Sequence, residues 1–456
     1  MAADTGFIPV RPQPPVKRGS LISVIRTVRD NVIAAWGHEA YERAHIQYRM
    51  LLRRILLAND PAIIRHVMLD NWGNYPRDPL GQRILEPGLG NGLLTSSGAD
   101  WKRQRRMLAP IFSPRRVQAF GPLMVECAAA LGNRLHNGAP VDMADAMMHA
   151  TLDIIARSMF GADADTDVSA VGAAMDAYQV TVRPGVADLI GLPEWFPRPG
   201  AAKGRAALAA MDAIINDLIG RRRKAIANGR PAGDDMLGLL LAARDEEGDG
   251  KGLNDAEIRD QMATFFLAGH ETTATALAWC WYLLAHDTAV ESRLHAEIDA
   301  VLPGRDPVWG DMEKLPYTRM VIEEAMRLYP PAHSTSRVAL ADDRIGDLTI
   351  KAGTAVIISP WLMHRHKLYW KNPERFDPEN FSPTASAARP RFVYLPFGAG
   401  PRICIGMGFA MAEAVLILAT LARRFRFRMA QGAVVTPIAK ITLRPQPGLP
   451  MVAQSR

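Results

Sequence analysis

The chain has 456 residues, 48% of them apolar and 22% charged, with a net charge of +7. That balance is ordinary for a globular protein able to bury a sizeable core, and no run approaches the roughly 18 consecutive apolar residues that a membrane-spanning helix needs. Three dispersed cysteines, Cys127, Cys280 and Cys404, exclude a disulfide framework and point to a reducing, cytoplasmic setting.

Taken in chain order, residues 1–20 are rich in proline and basic side chains and read as an extended arm, without a signal-peptide core or cleavage site. The helix-like stretch Leu21 to Trp36 is interrupted by Arg26, Arg29, Asp30 and Asn31, so it can at most lie on a membrane surface. Helical periodicity then dominates from Trp101 to Tyr329. One long apolar helix is expected from Asn254 to Asp287, opened by a capping-box-like Asn254 and Glu257 and about 50 Å long at ~1.5 Å per residue. Its middle has scarcely a charge beyond Glu271, which makes it a buried helix crossing the core.

From Ser334 to Pro360 the texture changes to short β-like pieces. A proline-rich meander from Asn372 to Pro396 follows, then the segment "FGAGPRICIG", then a helix from Gly408 to Arg424 and a terminal hairpin from Ala433 to Ala453. With no internal repeat and no linker, residues 21–456 read as one domain, mainly α with a smaller β part (α+β). Basic clusters stand at Lys102–Arg106, Arg115–Arg116 and Arg221–Lys224. They admit an acidic partner, but no nucleic-acid-binding motif organises them, and solvated helix faces are the plain reading.

Cys127 and Cys280 read as small buried hydrophobes. Cys404 differs, because Gly398, Gly400 and Gly406 let the backbone fold tightly around it and turn amide N–H groups toward the sulfur, while a helix begins just after. Such a site favours a thiolate. With no second Cys or His at ligand spacing it is a poor zinc site; it suits a metal whose other ligands come from a cofactor, as in haem. A nucleophilic cysteine served by a base distant in sequence stays open.

"FGAGPRICIG", Phe397 to Gly406, resembles the cysteine-ligand loop of the cytochrome P450 family, and four further motifs follow that family's order: "WKRQR" (Trp101–Arg105), "AGHETT" (Ala268–Thr273), "EAMR" (Glu324–Arg327) and "PERF" (Pro373–Phe376). The resemblance implies a soluble, bacterial-type haem-thiolate mono-oxygenase with a long central helix over haem b. It implies Cys404 as the iron ligand and contacts to haem from Trp101, Arg105, Ala268, Gly269, Arg337, Phe397, Gly398, Arg402 and Gly406. Glu324, Arg327 and Arg375 would brace the loop. Glu271 and Thr272, mid-helix, read either as a tolerated kink or as a proton-delivery pair in a site that excludes water; the family's assignment is the second.

The expected reaction inserts one atom of O2 into an apolar organic substrate of fatty acid, terpenoid or steroid type. No flavin or iron–sulfur domain fits in the chain, so a ferredoxin with its reductase is the expected electron donor, and the enzyme is expected to be a monomer without a transmembrane anchor or nucleic-acid partner. Lys102, Arg103, Arg105, Arg106, Arg115 and Arg116 would offer that donor a positive patch. A peroxide-driven hydroxylase and a non-catalytic haem gas sensor are the alternatives. The resemblance puts substrate walls at the loop Arg77–Leu94, at Thr264–Gly269 and at Ala332–Thr335. Ile84, Leu85, Leu93, Phe265 and Phe266 would be apolar walls, with His333 and Ser334 as polar handles.

Overall fold

The computed structural model describes residues 7–15, 20–50, 53–161 and 201–456, with the single positions 172 and 174; residues 1–6 and 16–19 of the expected arm lie outside them. The chain divides into two compact units, one of Met1–Asp78, Met124–Ala150 and Thr272–Arg456, the other of Pro79–Leu123 and Thr151–Glu271.

The first unit contains the β structure. A four-stranded sheet takes the order His45–Met50, Arg53–Ala58, Ala355–Ile358, Thr335–Val338, with only the middle pair parallel. The two inner strands carry the runs Ile55–Ala58 and Ala355–Ile358, apolar and largely buried, as strands flanked on both sides must be. The tail corrects the sequence reading in part. Thr436–Ala439 and Leu443–Gln446 do form a hairpin, but Pro450–Ser455 leaves it and lies between Pro140–Asp142 and Phe425–Met429 in a three-stranded sheet.

The described part of the arm is extended and fastened by its backbone. The Phe376 amide donates to the Phe7 carbonyl at 3.2 Å and the Tyr329 hydroxyl to the Val10 carbonyl at 2.6 Å, while Arg11 pairs with Glu374 at 2.9 Å.

The long helix runs Asp255–His286, and its start is the reciprocal box expected: the Asn254 amide donates to Glu257 and the Glu257 amide to the Asn254 side chain, each at 2.9 Å. From Gln261 to Leu284 every residue is buried except Ala268, Gly269 and Thr272. Among the described residues no helix is long and apolar enough to cross a membrane.

In the second unit, part of the segment read as a loop is a helix, Pro79–Leu89. Its glycines and Pro87 mask a stripe in which Leu80, Ile84 and Leu85 are half-buried and Leu89 fully so, and Pro79 suits a first turn that has no hydrogen bond to lose. The expected positive patch is also corrected. Arg103 pairs with Glu257 and Arg106 with Asp245, both at 2.6 Å, and Arg116 with Asp234 at 3.2 Å, so the acidic stretch Asp234–Glu257 compensates these arginines.

The brace in the first unit is built around Arg327, on the helix Pro316–Leu328. Its Nε and Nη2 donate to the two oxygens of Glu324 at 2.6 and 2.7 Å, and its remaining N–H groups reach the carbonyls of His364, Pro373 and Arg375 at 2.9, 2.7 and 2.7 Å. Glu324 also accepts from the Asp377 amide and from Asn380. Both side chains are wholly buried, so removing either partner strands a charge where water cannot reach it. Arg327→Lys keeps the charge but not the fork; we expect a loss of ~3–5 kcal/mol in denaturant unfolding. An unchanged unfolding midpoint would show that the fork does not brace the fold.

Candidate active site

In the first unit, the cysteine segment is a closed turn. Gly398 and Gly400 have φ of +70° and +68°, and a side chain at Gly400 would run into the Met68 carbonyl, 1.8 Å from its Cβ. Both positions therefore require glycine, Gly400 doubly so. Three bonds close the turn: Gly398 N–H to Leu395 O, Ile403 N–H to Gly400 O, and Cys404 N–H to Phe397 O at 2.9 Å. The cysteine's own amide is thus spent on Phe397. The positive end that remains nearby is the start of the helix Met407–Ala422, whose N-cap is Gly406. Cys404 is exposed, whereas Cys127 and Cys280 are buried and burial pushes the Cys280 thiol up.

Beside this turn, three arginines crowd one another. Arg337, on the strand Thr335–Val338, donates to the Thr335 hydroxyl at 3.0 Å and the Ser336 carbonyl at 2.9 Å. Arg77 faces it across an isolated antiparallel bridge, and so belongs with the arginines rather than with a substrate wall. Arg402 is half-buried in the cysteine turn itself. Burial, and then the charges of Arg337 and Arg402, bring Arg77 down to about 9; burial brings Arg337 to about 10, and burial with Arg337 brings Arg402 to about 10. Cations that repel one another at a partly buried site fit a multiply charged anion, and the two carboxylates of haem have that chemistry. An exposed cysteine on a glycine turn beside this cluster fits its iron.

His333 and Ser334 are not free handles. The His333 ring faces the Lys440 carbonyl through Nε2 at 2.9 Å, so Nε2 carries the proton, Nδ1 accepts from the Ser334 hydroxyl at 3.1 Å, and burial holds the ring neutral.

In the second unit, Trp101 and Arg105 stand one turn apart on the helix Gly98–Leu108, the indole buried and the guanidinium half-buried. Phe265 meets Phe112 edge to face at 5.1 Å, on the same helical stripe as Ala268. Ile84 and Leu85 are half-buried and Leu93 is buried, while Phe266 is fully buried against His270 and belongs to the core. Gly269 has a packing reason for being glycine, since a Cβ there would lie 2.9 Å from Ile155 Cδ1. The next carbonyl, of His270, accepts the Thr151 hydroxyl at 2.9 Å. Glu271 is buried, and Thr272, which belongs to the first unit, is half-buried.

Sequence reasoning missed Glu413. It lies on the helix Met407–Ala422, where heptad-like apolar neighbours hide it, and burial pushes its carboxyl up to about 8, the Thr273 hydroxyl pulling the other way. A carboxyl raised on folding contributes stability that is complete below the unfolded value near 4.5 and is lost as pH climbs through about 8. Glu413→Gln should therefore flatten the decline of the thermal midpoint between pH 5 and 8; a parallel decline in both proteins would show that Glu413 is not its source.

Comparison with known proteins is specific. The family profile described as Cytochrome P450 matches residues 28–451. The chain is 35% identical to cyclooctat-9-en-7-ol 5-monooxygenase and 33% identical to cyclooctatin synthase, both of Streptomyces melanosporofaciens, in each case over 90% of this chain and 88% of the relative. It is 34% identical to pentalenene oxygenase of Streptomyces avermitilis over 78% of each. The crystal structure of the cytochrome P450DA heme domain superposes with a TM-score of 0.83 at 27% identity, covering 98% of both chains.

Proposed function

Since this chain belongs to the cytochrome P450 family, and is thus a mono-oxygenase with haem b as its cofactor, we propose that it oxidises a terpenoid with electrons from a ferredoxin and its reductase. The observation that carries the reading is the stripe Ala268, Gly269 and Thr272, the only unburied positions between Gln261 and Leu284 in an otherwise buried helix, with buried Glu271 beside it. A solvent-excluding helix opens to a small face bearing one hydroxyl, next to an acid; that is the equipment needed to bring protons to a dry site.

The haem iron supplies the activation of dioxygen, and this chain's residues supply the rest. Cys404 would hold the iron as a thiolate, on a turn shaped by Phe397 and Gly398 with Gly406 capping the helix that follows. Trp101, Arg105, Arg337 and Arg402 would each be donors available to the cofactor's carboxylates. Thr272 fixes a water and Glu271 passes protons to it. Ile84, Leu85, Leu93 and Phe265 offer hydrocarbon walls, and a terpenoid fits the printed activities of two relatives, an oxygenase of pentalenene and a mono-oxygenase of cyclooctat-9-en-7-ol. The electron donor docks against a surface where Arg103, Arg106 and Arg116 already have acidic partners, so its salt dependence should be shallower than six free cations would give.

Titrating the holoenzyme with terpenes, fatty acids and steroids while following the Soret band tests the substrate class. Cyclic terpenes should give the largest shift at the lowest concentration, and a clear preference for fatty acids or steroids would overturn the assignment. With a responsive terpene, Thr272→Ala should bind and accept electrons but divert reducing equivalents to peroxide or water. Unchanged coupling of NADPH to product would remove Thr272 from proton delivery. Cys404→Ser should abolish the red-shifted ferrous–CO band, while Cys127→Ser and Cys280→Ser retain it.

A further inference from the structure

We propose that Asp343 is a positioning residue for the cysteine ligand: its carboxylate clasps the π-helical turn His66–Asp70, against which the turn around Cys404 rests, and so keeps the sulfur in place as a thiolate. The inference rests on the haem-thiolate reading above and adds to it a residue of the first unit that stands outside every motif of the cysteine loop.

The cysteine turn leans on the π-helical one. Gly400 opens the short 3₁₀ turn Gly400–Arg402 that leads into the cysteine, and the Met68 carbonyl, in the middle of His66–Asp70, lies so close that not even a methyl group at Gly400 would fit. Packing without slack transmits displacement, so a shift of Met68 is passed to Gly400 and, through the three bonds that close the turn, to Cys404. The π-helical turn is itself a rare backbone form, closed here by the Asn71 amide donating to the His66 carbonyl at 2.8 Å. A form that the backbone seldom adopts persists where its surroundings hold it.

Asp343 supplies that hold from the first strand of the hairpin Asp343–Ile345 and Leu348–Ile350. Its Oδ2 accepts from His66 Nε2 at 2.8 Å, from Asn71 Nδ2 at 2.9 Å and from the Tyr75 hydroxyl at 2.7 Å, while Oδ1 accepts the Arg344 amide at 2.7 Å. His66 is the first residue of the π-helical turn and Asn71 the residue that closes it, so a single oxygen bridges both ends. Burial pushes the Asp343 carboxyl up, but the bonds from Tyr75 and His66 outweigh it and bring the group down to about 2, so it stays the charged acceptor that three donors require. The chain beyond the turn is fastened to the hairpin independently, the Leu340 amide donating to the Asn74 carbonyl and the Ala341 amide to the Asn74 side chain, both at 2.9 Å. Removing the charge of Asp343 therefore frees the π-helical turn while the hairpin stays docked.

The test uses the holoenzyme, after the red-shifted ferrous–CO band of wild-type protein has established the thiolate ligand, so that failure of that reading is seen first and separately. Conversion of this band to the unshifted one is then timed for wild type, Asp343→Asn, Tyr75→Phe and Glu291→Gln, and the ferric–ferrous potential of each is measured. Glu291 pairs with Arg428 at 2.7 Å on other elements of the first unit, so its variant controls for a general loss of stability. Asp343→Asn should lose the band about tenfold faster than wild type, because charge-assisted hydrogen bonds to the clasp are gone. Its potential should rise, since a displaced sulfur donates less charge to the iron. Tyr75→Phe, which lacks one neutral donor and keeps the carboxylate, should fall between the two. Glu291→Gln should unfold more readily yet keep the wild-type conversion rate and potential. An unchanged rate or an unchanged potential in Asp343→Asn would overturn the proposal, and so would a Glu291→Gln variant that matches it, since each would reduce Asp343 to a part of the general fold.

Discussion

The fold of the larger unit hangs on a buried guanidinium whose five N–H bonds are all spent. Arg327 binds Glu324 on its own helix and three carbonyls on the segment that follows, so a single side chain fixes where the meander runs. One of these links leads to the Cys404 turn. His364 gives its carbonyl to Arg327, and its ring Nε2 accepts the Leu395 amide at 2.8 Å, two residues before the turn begins at Phe397. Burial and the charges of Arg327 and Arg365 hold that imidazole well below its usual pKa, so it stays the neutral acceptor the amide requires. Turn geometry is then a consequence of core electrostatics rather than of local preference alone.

The charges of the brace are matched, whereas like charges gather beside the cysteine turn. Every N–H of Arg327 has a partner, whereas Arg77, Arg337 and Arg402 press like charges together and Glu413 sits in surroundings that resist its ionisation. A brace of matched charges stabilises the polypeptide by itself, whereas gathered cations stabilise it only when an anion answers them.

The parts of this architecture legible in the sequence are those with a local physical signature. The long helix announced itself by an apolar run and a capping box, and both held to within a residue of Asp255–His286. The turn at Cys404 was visible because glycines are needed where φ is positive. What stayed hidden depends on partners remote in sequence. Arg77 looks like any loop arginine until Arg337, 260 positions later, is brought beside it, and Arg103 looks solvated until Glu257 is. The strand His45–Met50 escaped because its burial alternates only between exposed and half-buried, the weak pattern of an edge strand carrying Arg49. Pro450–Ser455 escaped for another reason, since pairing with Phe425–Met429 rather than continuing the hairpin is decided by topology and not by propensity.

The long helix shows how one element meets two demands that pull against each other. Burial on all sides favours large apolar residues, and the run from Ala274 to Leu284 has them, including Trp279, Trp281 and Cys280 at nearly zero exposure. Exposure requires the opposite, and between Gln261 and Leu284 it is confined to Ala268, Gly269 and Thr272. Gly269 serves both, because the missing Cβ lets Ile155 approach closely on one side while the backbone stays uncovered on another. A larger residue would have to displace Ile155 or cover the open face, so the position is constrained from two directions at once. The composition of the helix follows from that conflict: large where it only packs, small where it must pack and open within the same turn.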